Sequence, residues 1–374
     1  MKKMFYLIAC IAAIALIICF LVSSPGTKNK SVAGDSATGK PVSEEYFIST
    51  ESQSNDRVKK LQLDVRSEDA SYILDKGKLS FSHTIPATED RDYKADLHRD
   101  WVIELTQVNS ENFKKSDLEK LFDLDWRKNY PSTIYGFSPA DNHWTYVFAG
   151  DAPEAYSKIE VAIDLQEIFG SDEIPYDPKK LKNYPTELEA KIRSYPSPLK
   201  VVAREAIPHA INKAKSLVAL NQEFDIEAII LLKSDNQFNG RLAWDALQSV
   251  GLKWGDGDLF HWDNEEDFGH DQHFSVWTTT DPGYFLPERI KDGSMNPGDL
   301  GFSFSVPRSA DPKNVFAVMI DVAKYCQKRL GGTILNQNEA PFNDAEEKRQ
   351  LDHLIEKMKV KGLTPGSDKA LGMF

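Results

Sequence analysis

Acidic and histidine side chains gather between residues 254 and 273, and both kinds of group can bind metal ions or move protons. The set comprises Asp256, Asp258, Asp263, His270 and His273. Their spacing fits neither a calcium-binding loop nor a zinc-binding pattern. We therefore expect solvated hairpin loops without a bound metal, in which Asp256 and Gly257 form a turn.

Sequence motifs of enzyme active sites are missing from the chain, which has no GxSxG motif, no phosphate-binding P-loop and no HExxH motif. His209 follows Pro208 within a helical pattern, where a proline kink is a simpler interpretation than a catalytic base. A catalytic pair assembled only by the tertiary fold would leave no such signal. The sequence predicts a protein that is not an enzyme and that needs no cofactor.

The overall charge argues against nucleic acid as a partner. The chain holds 45 Lys and Arg against 57 Asp and Glu, which gives a net charge of -12 at pH 7. Phosphate backbones repel a body of this charge. Two of the cysteines lie in the apolar N-terminus and Cys326 lies within a helical pattern, so the rest of the chain cannot hold a disulfide framework.

An apolar segment at the N-terminus, MFYLIACIAAIALIICFLV at positions 4–22, carries no charge and is long enough to cross a bilayer as one helix. The VSSPG that follows is a poor cleavage site for a signal peptide. We assign residues 1–23 to a retained, single transmembrane anchor in the lipid bilayer. Residues 24–45 are rich in Ser, Gly, Thr and Pro and predict a flexible tether. Lysines flank the anchor on both sides, so charge alone does not set its orientation.

The C-terminal third shows the clearest alternation of strand and helix patterns. Asn239 is placed to cap a helix that Gly251 ends, and Asp311 is placed to cap a second helix with Pro312 in its first turn. Strand patterns lie at 228–232, 259–262, 273–280, 300–307 and 333–336. The order β-α-β-β-β-α-β-α predicts an α+β fold, an antiparallel sheet with helices on one face.

The middle of the chain resembles a weaker copy of this order. Strand patterns at 101–105 and 158–165 enclose a helical pattern and a hairpin, and LVALNQ at 217–222 resembles GTILNQ at 332–337. We assign residues 46–222 to a middle α+β domain. As a hypothesis, this domain is a divergent repeat of the C-terminal one, produced by internal duplication.

Six segments of the C-terminal third, in order, resemble the C-terminal domain of the ZipA family, membrane-anchored bacterial division proteins that bind FtsZ. They are AIILL, FNGRLAWDALQSVGLKWGDGDLFHW, FSVWTTTDPGYFLPE, SVP, RLGGTILN and the last amphipathic helix, between positions 224 and 361. The resemblance implies a split βαβ fold, a single span in the bacterial inner membrane and a cytoplasmic body at the division septum. We assign residues 223–363 to this domain and residues 364–374 to a disordered tail.

In this family one sheet face stays uncovered, and the short C-terminal tail of FtsZ lies there in a shallow apolar groove. The resemblance therefore implies the FtsZ tail, within Z-ring filaments, as the partner. Because side chains alternate along a strand, each strand can be divided between two faces. The helix-covered face is expected to hold Ile230, Leu232, Leu259, Phe274, Val276, Leu300, Phe302, Phe304 and Val306. The open, peptide-binding face is expected to hold Ile229, Leu231, Phe260, Trp262, Trp277, Thr279, Gly301 and Ser303.

The chain departs from the family in two respects. Its tether is short where the family has a long Pro- and Gln-rich linker, and several groove positions that are large and apolar in the family are Gly, Ser or Thr here. Two alternatives stay open: a structural envelope or assembly protein with its body outside the cytoplasm, and a groove filled by the chain's own middle domain. If the duplication is real, a second open face would lie around Trp101, Ile103, Tyr135, Trp144 and Tyr146.

Overall fold

A computed structural model describes residues 54–80, 93–130, 132–168, 178–266 and 268–374. The predicted anchor and tether, residues 1–45, lie outside these ranges, so the transmembrane helix stays a prediction. Within the described ranges, every helix is too short or too polar to cross a bilayer.

The middle region folds around a five-stranded antiparallel sheet with the order β4-β3-β6-β1-β7. Strands β2 and β5 pair separately with each other. The elements are β1 (Asp100–Gln107), β2 (Phe113–Lys114), α1 (Lys115–Leu121), α2 (Leu124–Asn129), β3 (Thr133–Ser138), β4 (His143–Tyr146), β5 (Ala155–Tyr156), β6 (Lys158–Asp164), α3 (Leu165–Ile168), α4 (Pro178–Ile192), β7 (Leu199–Ala203) and α5 (Ile207–Phe224).

The C-terminal region folds around a six-stranded antiparallel sheet with the order β13-β8-β12-β11-β10-β9. Asn239 and Asp311 accept hydrogen bonds from the backbone of the first helical turns, which confirms both predicted caps. The elements are β8 (Glu227–Lys233), α6 (Gly240–Ser249), β9 (Lys253–Trp254), β10 (Phe260–Asp263), β11 (Gln272–Trp277), α7 (Pro287–Asp292), β12 (Asp299–Ser305), α8 (Pro312–Leu330), β13 (Thr333–Asn336), α9 (Asp344–Val360) and α10 (Asp368–Met373).

The structure therefore has the predicted α+β class, with antiparallel sheets and helices. The two regions share the order of their main elements, although β2, β5 and α7 each occur in one region only. In each sheet the first strand pairs with the last strand and with the strand after the hairpin. The hairpins attach differently, because the inner strand is the first of the pair in the middle sheet (β3) and the second in the C-terminal sheet (β11). The duplication accordingly stays a hypothesis.

Helix α5 corrects two details of the sequence interpretation. It begins at Ile207, so Pro208 lies in its first turn, where its missing N–H costs nothing, and does not kink the helix. The LVALNQ segment lies within α5, whereas GTILNQ provides β13, so the similarity of these two segments is not structural.

Residues 54–80, here called the strap, pack against the helices of the C-terminal domain. They include a helical segment at 54–60 and short 3₁₀ helices at Ser71–Leu74 and Lys76–Lys78. The indole of Trp244 on α6 donates to the Leu63 carbonyl at 2.9 Å. The sequence assigned the strap to the middle domain, because local patterns do not reveal which distant surface a segment covers.

The final residues also differ from the prediction of a disordered tail. Ser367 caps α10, and Ala370 and Met373 are buried. Arg99 donates to the carbonyl of Gly372 at 2.6 Å, which ties α10 to the middle domain. This order depends on a tertiary contact, so a short segment with little periodicity of its own gave no signal of it.

Candidate functional site

The open face of the C-terminal sheet carries a row of apolar side chains that crosses the strands. Leu335 on β13 lies opposite Leu231 on β8, Leu231 lies opposite Gly301 on β12, and Gly301 lies opposite Trp277 on β11. Leu259, one residue before β10, continues the row. We call Leu335, Leu231, Trp277 and Leu259 the apolar row. The opposite face carries the fully buried Ile230, Leu232, Phe302 and Val276, as predicted.

A second, more polar row runs beside the apolar row. It contains Ile229 and Ser303, which are paired across β8 and β12, and then Ser275 and His261. Of the predicted face residues, the structure thus brings together Ile229, Leu231, Trp277, Gly301 and Ser303.

The prediction that Phe260 and Trp262 lie on the open face was wrong. Phe260 pairs with Val276 and Trp262 with Phe274, so both point toward the helices. The Phe260 ring meets Trp244 edge to face, with 4.8 Å between ring centroids. Both side chains are buried.

The same register overturns the prediction for Leu259, which lies on the open side and lines a pocket together with Trp277. LFHW alternates in either phase, so only the pairing with β11 decides which residues face the helices. The sequence analysis did not assign Leu335 to the open face. The only sequence signal for it is the short alternation of TILN, which forms the strand at the sheet edge.

The indole of Trp277 lies flat on the strand beside it. A Cβ atom at position 301 would come within 2.5 Å of the ring, so only glycine leaves room for this placement. The indole N–H donates to the hydroxyl of Ser303 at 3.0 Å, which satisfies its polar atom. Glycine and serine therefore stand at these two groove positions because a tryptophan covers them.

Thr279 lies beyond the end of β11 and serves to fasten the strand. Its backbone N–H and its hydroxyl bond the carboxylate of Asp299 at 2.7 and 2.5 Å, and the hydroxyl of Thr278 adds a bond at 2.9 Å. The Thr279 hydroxyl is thus committed to the sheet, at the margin of the open face.

The histidine of the polar row, His261, is held in structural hydrogen bonds. His261 is buried between the hydroxyl of Ser275 at 2.8 Å and the carbonyl of Asp256 at 2.7 Å, and burial lowers its pKa. Asp256–Asp258 forms a 3₁₀ turn in which Gly257 has φ of 61°, as the turn prediction required. Among the described residues no group of three or more metal-ligating side chains converges.

The middle sheet has an open face of a different kind. Trp101 and Ile103 were predicted to lie on it, but both are buried on the helix side. Tyr135 pairs with Tyr146 and Phe137 with Trp144, which places these four aromatic side chains on the open side.

A model of the family described as "ZipA, C-terminal FtsZ-binding domain" matches residues 226–352. The match includes β8 to β13 and the open face, and it excludes the strap, the middle domain and α10.

Curated relatives are similar to a part of the chain. The protein named Cell division protein ZipA of Marinobacter nauticus is 28% identical over 133 residues, which are 35% of this chain and 39% of that protein. The protein of the same name from Mannheimia succiniciproducens is 26% identical over 134 residues, 35% of this chain and 37% of that protein. The one from Actinobacillus succinogenes is 24% identical over 162 residues, 42% of this chain and 46% of that protein. The chain thus spans less than half the length of each of these relatives.

Proposed function

We propose that this protein acts in bacterial cell division and binds the C-terminal tail of FtsZ on the open face of its C-terminal domain, because residues 226–352 match the model of the ZipA C-terminal, FtsZ-binding domain. The apolar row carries the proposal. It lies within the matched residues, on the sheet face that the helices leave uncovered, and Leu231, Trp277 and Leu335 in it are only partly buried. Apolar surface of this kind usually marks a site for another protein.

The expected affinity for one tail is modest. Burial of a few hundred Å² of apolar surface contributes several kcal/mol at about 25 cal/mol per Å², before the cost of association. This corresponds to dissociation constants of about micromolar magnitude. Many tails along one filament then supply avidity, which holds the polymer more firmly than any single contact does.

In the same proposal, residues 1–23 anchor the protein in the inner membrane as a single span, and residues 24–45 tether the body to it. The body lies in the cytoplasm at the septum and links Z-ring filaments to the membrane. It works as an adaptor, without catalysis and without a cofactor. The resemblance to the family and the apolar N-terminal segment support this arrangement.

Peptide binding is tested with the full-length protein in detergent micelles. A fluorescent peptide of the FtsZ C-terminal tail from the same organism is titrated with protein, and its anisotropy is recorded. We expect saturable binding that Leu231→Gln weakens at least about tenfold, because it places an amide in the centre of the apolar row. Leu242→Gln is the matched control, since Leu242 is 54% exposed on α6, outside the open face.

Failure to bind the tail at millimolar protein, or equal weakening by the two glutamine variants, would remove FtsZ as the partner of this face. Orientation is tested separately by Val360→Cys in intact cells, because Val360 is 85% exposed. A maleimide that cannot cross membranes should label it only after the inner membrane is opened. Labelling of cells with a permeable outer membrane alone would place the body outside the cytoplasm.

A further inference from the structure

A pocket lies at one end of the open face, where β8 begins and β12 ends. Its lining includes Asp225, Glu227, Ser305 and Ser309, and Glu227 is the cross-strand partner of Ser305. Trp277 and Ser303 line the same pocket, so it is continuous with the face that the proposed function uses. Arg308, His270 and Phe374 line it as well, so charged groups of both signs stand beside aromatic rings, in contrast with the apolar row.

Glu227 is a carboxyl group of this pocket that does not pair with Arg308, the arginine that shares the lining. Burial raises its pKa and nearby Asp225 raises it further, while a hydrogen bond from Ser303 acts in the opposite direction. Within the part of the chain that the structure describes, no ion pair involves Glu227. The pKa of Asp225 is also raised by burial, and the positive charge of Arg308 opposes this rise only in part.

Two serine hydroxyls at the pocket favour a ligand that carries hydrogen-bond donors. The Oγ atoms of Ser305 and Ser309 are buried, and neither has a hydrogen-bond partner within the described protein. Ser309 is only 4% exposed. A hydroxyl oxygen accepts hydrogen bonds, so the N–H groups of a lysine or arginine side chain that enters the pocket would satisfy it. The same side chain carries a positive charge that would pair with the carboxylate of Glu227.

We infer that this pocket binds the basic side chain, lysine or arginine, of the segment that docks on the open face, with Glu227 as its specificity-determining residue. The inference rests on the proposed function and extends it. Apolar side chains of the docked segment contact the apolar row, and a cation near one end of the segment reaches Glu227. An acidic side chain at that place would meet two carboxylates and would be rejected.

The test uses the full-length protein in detergent and two variants. Glu227→Gln removes the charge and keeps the shape. Glu339→Gln is the matched control, because Glu339 lies at the β13 side of the same sheet and pairs with Lys233 at 3.0 Å. The probes are the FtsZ tail peptide, its derivatives with each Lys or Arg replaced by Gln, and the small molecules arginine amide and citrulline amide.

For the peptides, we expect Glu227→Gln to weaken binding about tenfold, as loss of a charge-assisted contact does. One Gln-substituted peptide should bind the parent protein about tenfold more weakly and should lose nothing further with Glu227→Gln, since both changes remove the same contact. Glu339→Gln should bind every peptide like the parent. Normal tail binding by Glu227→Gln would overturn the pocket and leave the proposed function intact.

The small molecules make the pocket testable without FtsZ. At millimolar concentration, arginine amide should give a saturation-transfer NMR signal with the parent and with Glu339→Gln, and citrulline amide, its neutral isostere, should give a weaker one. Glu227→Gln should abolish the difference. If arginine amide behaves in this way but the tail does not bind, the FtsZ assignment fails and the pocket stands. Equal signals from the two amides with the parent would refute the pocket.

Discussion

The two sheets of this protein have a similar order of main elements, but the charged groups on their open faces are paired differently. On the middle sheet, Arg204 lies 2.9 Å from both Glu104 and Glu160, so these two carboxylates are paired with a cation of the same chain. On the C-terminal sheet, Glu227 has no such partner among the described residues, and an apolar row runs beside it. On the second face, the docked segment that we propose would supply the cation that Arg204 supplies on the first.

A glycine in each sheet sharpens this difference. Gly136 on β3 lets Tyr156 lie against the strand on the buried side, and Gly301 on β12 lets Trp277 do so on the open side. The same device thus serves core packing in one sheet and surface shape in the other.

The largest expected change in the free energy of unfolding comes from replacing these two glycines. A methyl group at position 136 would come within 2.3 Å of the fully buried Tyr156 ring, so Gly136→Ala should lower the free energy of unfolding by about 3 kcal/mol. Gly301→Ala should cost about 1 kcal/mol or less, because the Trp277 indole can turn toward solvent, but it should weaken tail binding. Urea unfolding of both variants checks the difference. Equal costs would mean that Trp277 is as confined as Tyr156.

One buried group in each domain should make stability depend on pH, and the two groups act in opposite directions. Burial raises the pKa of Asp100 in the middle domain to about 6, so the folded state holds this proton more tightly and loses stability as the pH rises from about 4 to about 6. Burial lowers the pKa of His273 in the C-terminal domain to about 4, so stability is lost as the pH falls from about 6.5 to about 4.

Asp100→Asn should therefore raise the free energy of unfolding, by on the order of 1–2 kcal/mol, at pH 7 but not at pH 4. His273→Gln should show its advantage over the parent at pH 4 and lose it at pH 8. Guanidinium unfolding across this pH range measures both. A variant whose difference from the parent is the same at every pH would disprove the corresponding shift.

Two tryptophans compare the open faces directly. Trp277→Ala should weaken tail binding about tenfold, since it removes the largest side chain of the apolar row. Trp144→Ala, on the open face of the middle sheet, should leave tail affinity unchanged. Anisotropy titrations with the tail peptide measure the affinity of both variants. Weakening by Trp144→Ala would show that both faces bind the tail and that the protein is bivalent.

The smallest effect concerns the strap, which packs against the C-terminal domain. Arg57 pairs with Glu288 at 2.6 Å, and both side chains are largely exposed. Arg57→Gln should therefore lower the free energy of unfolding by about 0.5 kcal/mol. A thermal or urea unfolding curve suffices, and a loss several times larger would mean that the strap holds the domain together at this point.

The sequence predicted those features that depend on neighbouring residues. Asn239 and Asp311 cap helices because the capping oxygen and the N–H it accepts from are three residues apart. Ile229 and Leu231 were assigned to the correct face because they alternate with fully buried residues along a seven-residue strand. Trp277, Gly301 and Ser303 followed from the same alternation on β11 and β12.

The features that the sequence missed depend on partners distant along the chain. The alternation in LFHW fits either face of the sheet, and only the pairing of Phe260 with Val276 selects one. The sequence analysis therefore placed Leu259 on the helix side and Phe260 and Trp262 on the open side, which is the reverse of the structure. The strap and α10 bury too few residues to show a pattern of their own, and their places come from contacts with Trp244 and Arg99.

The sequence by itself determined the fold class, the helix caps, the family resemblance and most of the open face, because periodicity and capping act over a few residues. The tertiary structure alone decided which side of β10 is buried, that Trp277 lies flat on Gly301, and that Glu227 and Ser309 meet at one pocket. These outcomes depend on strand register and on the approach of segments far apart in the chain, and no local pattern encodes either.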